Sequence, residues 1–268
     1  PLAVQGLRMT LMSSAESFVG VTWKTLDVRA EELSGLLLSD PQPIVESMNK
    51  RRESMSARSI DFVDLESITE NFAITTAGSP LFRPEPDGHR VTNVAGGSTE
   101  STVLVSKVPL GRGSDVEWKF DIEELGHPDI PATKSEIALK VFFESTMRSN
   151  LSPHEATFIL RRTRNGGLVL VTRIVFRNAR NRAQFRPLLT VRVNSPDAFR
   201  TVVHDGTLYF LYSEAGSDDY QIATTAPVSG DLPATGVELK FVANGDEHKS
   251  DLTLRKLTIH EEPVAEID

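Results

Sequence analysis

The sequence predicts an all-β fold in which one antiparallel β-sandwich follows a short helical linker and an N-terminal β-hairpin. Three observations support this prediction. From Ile60 onward, short apolar segments recur, and each is bounded by Gly, Pro, Asn or Asp. No strong helical pattern interrupts these segments. A chain of 268 residues with 39% hydrophobic content is also long enough to bury one large core.

The candidate strands follow one another at short intervals. They cover residues 68–75, 89–94, 101–107, 115–123, 135–144, 154–163, 166–177, 186–193, 198–203, 205–213, 219–226, 235–243 and 251–260. Because side chains alternate between the two faces of a strand, Trp118 and Phe120 share one face, as do Leu139, Val141 and Phe143. We expect these five residues to lie in the core.

A short helix is predicted before the sandwich. Residues 39–43 form a turn that leads into it, and the helix is expected to end near Arg58. Its thin apolar stripe consists of Ile44, Val45, Met48 and Met55. A short helix needs tertiary contacts to persist, so the stripe predicts a packing face. Lys50, Arg51 and Arg52 are expected to face water.

An internal repeat connects the two ends of the chain. Residues 6–12 and 236–242 share a glycine followed by alternating apolar residues and a closing apolar pair. Residues 21–28 and 252–259 also match, and both change face midway, which predicts a β-bulge near Lys24-Thr25 and near Arg255-Lys256. We interpret residues 1–31 as the last hairpin of a preceding copy. The alternative is a chance similarity between short alternating strands.

These patterns divide the chain into four parts. Residues 1–31 are the terminal hairpin of a preceding sandwich repeat, 32–59 a linker with a short helix, 60–262 the β-sandwich domain and 263–268 a tail. The first residue is Pro1, without a preceding methionine or leader segment. We therefore expect the chain to be a fragment of a tandem-repeat protein.

Parts of the sandwich resemble a known superfamily. Residues 205–212 and 220–223 resemble the "glycine, strand, short loop, strand" passage of concanavalin A-like lectins and glucanases, including laminin-G-like modules. Residues 70–72 and 86–91 resemble their first strands, and more closely those of a bacterial domain family of unknown function. The resemblance implies a jelly-roll sandwich over residues 60–262 and favours an extracytoplasmic location. It implies no particular activity, because the superfamily contains sugar-binding modules, enzymes and interaction domains.

Catalytic and metal-binding patterns are not recognised. Retaining glucanases of this fold carry acids at alternating positions of one strand, whereas Glu123 and Glu124 are adjacent and Glu85-Pro86-Asp87 belongs to a turn. The short clusters 127–129, 154–155 and 218–219 each lack a third nearby metal ligand. The chain contains no cysteine, which excludes a thiolate metal site. We therefore predict no catalytic residues, no metal and no cofactor.

The charge distribution singles out one segment. Residues 156–204 contain ten arginines, no lysine and one acid, Asp197, although the whole chain has a formal charge of −8. Guanidinium groups suit carboxylate, sulfate or phosphate, and they stack on rings. The candidate ligand-binding residues are Arg162, Arg164, Arg173, Arg177 and Arg192. The alternative is that these arginines pair with acids or cover the sheet with their apolar stems.

The leading hypothesis is a non-catalytic binding module of a larger bacterial protein, which recognises an anionic glycan such as an acidic polysaccharide, or a protein partner. A neighbouring repeat domain is a further expected partner. The alternatives are a glycan-cleaving or glycan-modifying enzyme of the same fold and a structural spacer. The negative charge argues against general nucleic-acid binding. The longest apolar runs are far shorter than the roughly 20 residues of a membrane-spanning helix.

Overall fold

The computed structural model describes residues 42–107, 113–127, 135–144, 153–163, 165–177, 183–217, 219–228 and 232–261. The predicted hairpin at 1–31, its bulge at Lys24-Thr25 and the tail at 263–268 lie outside the described residues. Neither helix of the described part is long and apolar enough to cross a membrane.

Strands dominate the described part of the chain. The two helices are α1 (Gln42–Glu53) and α2 (Leu65–Asn71). The strands are β1 (Ser56–Asp61), β2 (Phe72–Ala77), β3 (Leu81–Glu85), β4 (Gly88–Val94), β5 (Glu100–Ser106), β6 (Gly113–Gly126), β7 (Glu136–Phe143), β8 (Glu155–Arg162), β9 (Leu168–Arg177), β10 (Ala183–Val193), β11 (Pro196–His204), β12 (Thr207–Glu214), β13 (Gln221–Pro227), β14 (Ala234–Ala243) and β15 (Lys249–Glu261).

The strands form two antiparallel sheets. Sheet 1 has the order β2-β5-β14-β7-β8-β9-β10, and sheet 2 has the order β3-β4-β15-β6-β11-β12-β13. The sheets join at one corner, where Ala234 of β14 pairs with Gly113 of β6. This arrangement confirms the predicted all-β sandwich.

The last strand, β15, organises sheet 2. One edge of β15 pairs with β6 along almost its whole length, while the other edge pairs first with β4 and then with β1. The register against β6 shifts between Leu254 and Lys256, so Arg255 is the extra residue. This shift confirms the bulge predicted at Arg255-Lys256.

Aromatic side chains fill the space between the sheets. Trp118 and Phe120 are almost fully buried, with ring centroids 4.3 Å apart, and Phe199 packs against both. Phe158 reaches across from β8 and stacks on Phe199 at 4.9 Å. The prediction that Trp118 and Phe120 are core residues is confirmed, as it is for Leu139, Val141 and Phe143.

Helix α1 covers part of the outer face of sheet 2. Val45 and Met48 are buried against Val202 and Leu211 of the sheet, with Ile44 partly buried beside them. This confirms the predicted packing face for the three helix residues, whereas Met55 lies beyond the helix. The helix ends at Glu53, five residues before the predicted end, because the chain enters β1 at Ser56 and pairs with β15.

The cationic end of α1 faces the sheet as well as water. Arg51 donates a hydrogen bond to the carbonyl of Val203, and Arg52 contacts Glu117 and His260. Both arginines are therefore half-buried, contrary to the expectation that they face water. Their long side chains extend past the apolar contact between α1 and sheet 2. They donate hydrogen bonds to carbonyl and carboxylate groups of the sheet that the helix shields from water.

The start of the sandwich differs from the prediction at α2. The candidate strand at 68–75 was wrong for residues 68–71, which belong to this helix. Asp64 caps the helix by accepting a hydrogen bond from the backbone N–H of Ser67 at 2.7 Å, and Ile68 anchors it in the core. Strands β1 and β3 were not predicted, because most of their side chains are exposed and show no alternating pattern.

Candidate binding surfaces

The five arginines singled out in the sequence do not lie on one face. Arg162 lies opposite Leu168, whose side chain packs against the core, whereas Arg173 lies opposite Thr157 on the outer face of sheet 1. Arg192 pairs with Val169, which shares the face of Arg173. Arg164 lies outside the described residues. For Arg177, only its backbone position in β9 is described.

Arg162 is held by backbone groups. Its Nε donates to the carbonyl of Leu125 at 2.6 Å, and its Nη1 donates to the carbonyl of Gly166 at 2.7 Å. These bonds fix the turn between β8 and β9 against the end of β6. These contacts with backbone carbonyls give Arg162 a structural role.

Arg173 is placed differently. Its guanidinium carbon lies 5.3 Å from the ring centroid of Phe185 on the neighbouring strand, a distance suited to a cation–π contact. The nearest carboxylate oxygen, on Glu155, lies 3.7 Å from Nη2, and Nε has no hydrogen-bond partner among the described residues. This Nε is buried, so an external ligand would meet the remaining guanidinium atoms of a side chain that is 30% exposed and loosely paired with Glu155.

The outermost strand of sheet 1 is unusually exposed. On β10, 64% of Phe185 and 49% of Leu189 are accessible to solvent, although both are large apolar side chains. Arg186 and Arg192 are exposed on the same strand, and within the described part of the chain neither forms an ion pair. A shallow depression of about 520 Å³ is lined by Phe176, Gln184, Phe185 and Arg186. We call Arg173, Phe185, Arg186 and Arg192 the arginine edge.

A second group of charges lies beneath α1. Arg200 is fully buried, and its Nε and Nη2 donate to the two carboxylate oxygens of Asp115 at 2.9 and 2.6 Å. Its Nη1 donates to Asn49 of α1 at 2.6 Å. This bidentate geometry satisfies a guanidinium that water does not reach. We define the buried ionic cluster as Asp115, Glu117, Arg200, Tyr220 and His260 of sheet 2 together with Arg52 of α1.

Arg52 connects the helix to the rest of the buried ionic cluster. Its Nη2 donates to Glu117, and its Nε lies 3.1 and 3.0 Å from the two ring nitrogens of His260. The hydroxyl of Tyr220 also donates to Glu117, and the ring of Tyr220 lies 5.3 Å from the guanidinium carbon of Arg200.

The surroundings set the charge state of each group. Burial raises the pKa of Glu117, but the hydrogen bond and charge of Arg52 outweigh it and hold that pKa below its usual value. Burial and the nearby Glu117 carboxylate raise the pKa of Tyr220, which stays protonated and donates. Burial and the adjacent Arg52 lower the pKa of His260. Two cations thus balance two anions around a neutral histidine.

The acids on the outer face of β6 were not identified from the sequence. Asp115, Glu117 and Asp121 alternate along β6 with Val116 and Trp118 of the core face, and this spacing was the signal that could have revealed them. Arg200 and Arg52 pair with the first two acids under α1, and Asp121 forms an ion pair with Arg255. The acids are therefore engaged by arginines and do not form an open cleft.

A third feature is a cleft at one end of sheet 2. Its volume is about 840 Å³, and Glu124, His127, Asp246 and Glu247 are among its polar lining residues. Within the described ranges, no group of three or more histidines and acids is arranged to hold a metal ion. The predicted short clusters at 127–129 and 218–219 lie partly outside those ranges.

Comparison with known proteins identifies the family. The model of the family described as "Protein of unknown function (DUF1583) C domain" matches residues 1–78 and 66–267. The chain belongs to this family. The prediction of a domain family of unknown function is therefore confirmed. No curated protein matches the chain.

Solved structures show which fold this family member adopts. The exoplasmic/lumenal domain of VIP36 with bound Ca²⁺ and Man3GlcNAc is 8% identical, with a TM-score of 0.52 over 77% of this chain and 89% of that one. Its Ca²⁺-bound form is 8% identical, with a TM-score of 0.51 over 81% and 95%. A legume lectin-like domain from Entamoeba histolytica is 10% identical, with a TM-score of 0.49 over 75% and 94%. The DUF1583 domain thus has the predicted concanavalin A-like sandwich fold.

Proposed function

We propose that this DUF1583 domain is a non-catalytic module that binds an anionic polysaccharide through the arginine edge. The observation that carries the proposal is the exposed ring of Phe185, which lies 5.3 Å from the guanidinium carbon of Arg173, while the exposed Arg186 follows on the other face of the same edge strand. An exposed aromatic ring beside guanidinium groups offers both a platform for a sugar ring and donors for its carboxylate or sulfate.

The charge of the arginine edge supports an acidic ligand. The acid nearest to Arg173 is Glu155 at 3.7 Å, and the structure gives Arg186 and Arg192 no acidic partner within its described ranges. Other arginines of the same segment are engaged, since Arg161 pairs with Glu136 and Arg200 with Asp115. Among the arginines of this segment whose side chains the structure describes, those held neither by a close acidic partner nor by backbone carbonyls therefore lie on the outer two strands of sheet 1.

The fold is consistent with this function and does not specify it. VIP36, whose lumenal domain has this fold, has been crystallised with mannose-containing ligands. At 8% identity that likeness concerns the fold alone, so the arginine edge has to be tested by itself.

The test compares polygalacturonate binding by the wild-type chain and by an Arg173→Gln/Arg186→Gln/Arg192→Gln variant. Affinity is measured calorimetrically at about 0.01 M and about 1 M ionic strength, where the Debye length is about 30 Å and about 3 Å. We expect the wild type to bind at low salt and to lose most of its affinity at high salt. The triple variant should not bind under either condition.

Two controls make the result specific. Arg161→Gln removes an arginine that pairs with Glu136 on the same outer face, so it should leave affinity nearly unchanged. Phe185→Ala keeps every charge and should weaken binding at both salt concentrations, because it removes the ring. If the wild type fails to bind at low salt, or if the triple variant binds equally well, the arginines are structural surface residues.

We further propose that residues 1–31 correspond to the terminal hairpin at 236–260. Two segments of the chain match the same family model, and the bulge predicted at Arg255-Lys256 is present. A chain shortened to begin at Gln42 should then keep α1 and unfold with an unchanged midpoint in urea. Failure of the shortened chain to fold would show that the N-terminal residues belong to this sandwich.

A further inference from the structure

The contact between α1 and sheet 2 contains an arrangement that depends on a neutral histidine. Nε of Arg52 carries a proton and lies 3.1 Å from Nδ1 and 3.0 Å from Nε2 of His260. A neutral imidazole has one nitrogen with a lone pair and one that carries a proton, so Nε–H of Arg52 donates to one ring nitrogen and lies close to the other. A second proton on the ring would place two cations in contact in a site where His260 is only 8% exposed.

We infer that α1 is a pH-released cover on sheet 2, whose docking fails when His260 takes up a proton. The apolar contact that holds the helix is small, because Val45 and Met48 are the buried side chains of α1. Polar contacts add to it through Arg52, through the bonds of Asn49 and Arg51 to Arg200 and Val203, and through Ser47, whose Oγ lies 3.5 Å from Nε2 of His204. Repulsion at Arg52 therefore acts on a main attachment point.

Groups on every neighbouring element decide the sign of this effect. The groups around His260 are Arg52 and Asn49 on α1, Asp115 and Glu117 on β6, Arg200 on β11, Tyr220 on β13 and the uncharged Ala57 opposite His260 on β1. The two acids favour a charged ring, but each already accepts hydrogen bonds from an arginine. Burial and Arg52 together outweigh them and lower the pKa of His260.

The direction of the pH dependence follows from proton linkage. The docked state binds a proton on His260 less readily than an unperturbed imidazole with a pKa of 6.5, and after release Arg52 no longer opposes that proton. Docking is therefore unaffected above that value and weakens as the pH falls below it. The docking equilibrium changes by about tenfold per pH unit until the docked pKa is reached.

Release of α1 uncovers a surface that is closed at neutral pH. The sheet residues beneath the helix include Val202, Leu211, Tyr209 and Ile222, which form an apolar patch, and the buried ionic cluster next to it. Exposure of both would give the DUF1583 domain a second accessible face on sheet 2 under acidic conditions.

His204 provides a matched comparison. Arg51 of α1 lies 3.4 Å from Nδ1 of His204, so this pair resembles the pair of Arg52 and His260. However, Nε2 of His204 lies 3.4 Å from a carboxylate oxygen of Asp205, which can compensate a proton on the ring. We therefore assign the pH response to His260 and not to His204.

The experiment uses the absence of cysteine in the chain. Met48→Cys places a thiol on the buried face of α1, and Glu46→Cys places one on its exposed face. The ratio of their labelling rates by a thiol reagent gives the protection of the docked helix and cancels the pH dependence of the reagent. The ratio is measured from pH 8 to pH 5. Ala156→Cys in the sandwich core reports global opening.

We expect the protection at Met48→Cys to fall about tenfold per pH unit below 6.5, while Ala156→Cys stays protected. Adding His260→Gln, which keeps an acceptor but cannot gain charge, should abolish the fall. Adding His204→Gln should leave it unchanged. Protection that is constant with pH, or a fall that persists in His260→Gln, overturns the inference. A parallel fall at Ala156→Cys would also overturn it, because the whole sandwich would then be opening.

Discussion

Arg192 and Arg200 lie eight residues apart in the sequence and occupy opposite environments. Arg192 is exposed on β10 at the outer edge of sheet 1, and the described residues include no ion-pair partner for it. Arg200 is fully buried on β11 beneath α1, where Asp115 and Asn49 accept its hydrogen bonds. The same residue type thus supplies free donors on one sheet and an internal cross-link on the other.

The comparison shows that arginine density alone does not locate a binding surface. A buried guanidinium must be paired, because leaving its charge unsatisfied costs several kcal/mol. An exposed guanidinium keeps its donors available for an external anion.

Removing the buried arginine should have the largest effect. Arg200→Ala leaves the Asp115 carboxylate buried without its bidentate partner, and we expect a loss of about 3–5 kcal/mol in the free energy of unfolding. Arg192→Ala should change it by less than about 0.5 kcal/mol. Urea unfolding of both variants checks the difference. Equal effects would show that Arg200 is solvated in solution.

Replacing the whole buried pair should cost much less than breaking it. In an Asp115→Leu/Arg200→Met variant, both charges are exchanged for apolar groups of similar volume. Such exchanges are often neutral or stabilising, so we expect the double variant to be several kcal/mol more stable than Arg200→Ala. Urea unfolding of this double variant and of the Asp115→Leu and Arg200→Met single variants measures the coupling, and a loss in the double variant equal to the sum of the two single losses would contradict the prediction.

Acid should weaken the sandwich through Glu117 in a pH range below that of His260. The pKa of Glu117 is lowered from its ordinary value of 4.5 in the folded chain. Its contribution is therefore complete above that pH and is lost as the pH falls through the folded pKa. Each unit of lowering corresponds to about 1.4 kcal/mol. Between pH 7 and pH 3, urea unfolding should show that acidification lowers the free energy of unfolding less in Glu117→Gln than in the wild type.

The smallest effect is expected for a surface pair. Arg161 and Glu136 form an ion pair on the outer face of sheet 1, with 44% of the Arg161 side chain exposed. Arg161→Gln should lower the free energy of unfolding by about 1 kcal/mol or less, and high salt should reduce the difference further. A larger, salt-independent loss would indicate that the pair behaves like the buried one.

The sequence predicted those features that depend on local alternation. Trp118 and Phe120 stand two residues apart, so one buried face follows directly from the strand period. The bulge at Arg255 was predictable for the same reason, because the apolar positions of β15 change face there. Helix α2 was missed, since its seven residues bury little besides Ile68.

The buried ionic cluster depends on contacts that no local pattern contains. Arg200 and Asp115 are separated by 85 residues, and Arg52 and His260 by 208. In sequence, Arg200 belongs to the same arginine-rich segment as Arg173 and Arg192. Only the pairing of β11 with β6, and the position of α1 above them, distinguishes it from the exposed arginines.

The central position of β15 also constrains how the chain is made. Among the described strands β15 is the last to be synthesised, yet β1, β4 and β6 all require it as their hydrogen-bonding neighbour. Synthesis proceeds at about 5–20 residues per second, so these three strands wait from several seconds to some tens of seconds for their partner. During that delay their unpaired edges are open to other nascent chains. A chain that stopped before Lys249 would keep those edges permanently and would be a target for chaperones and proteases.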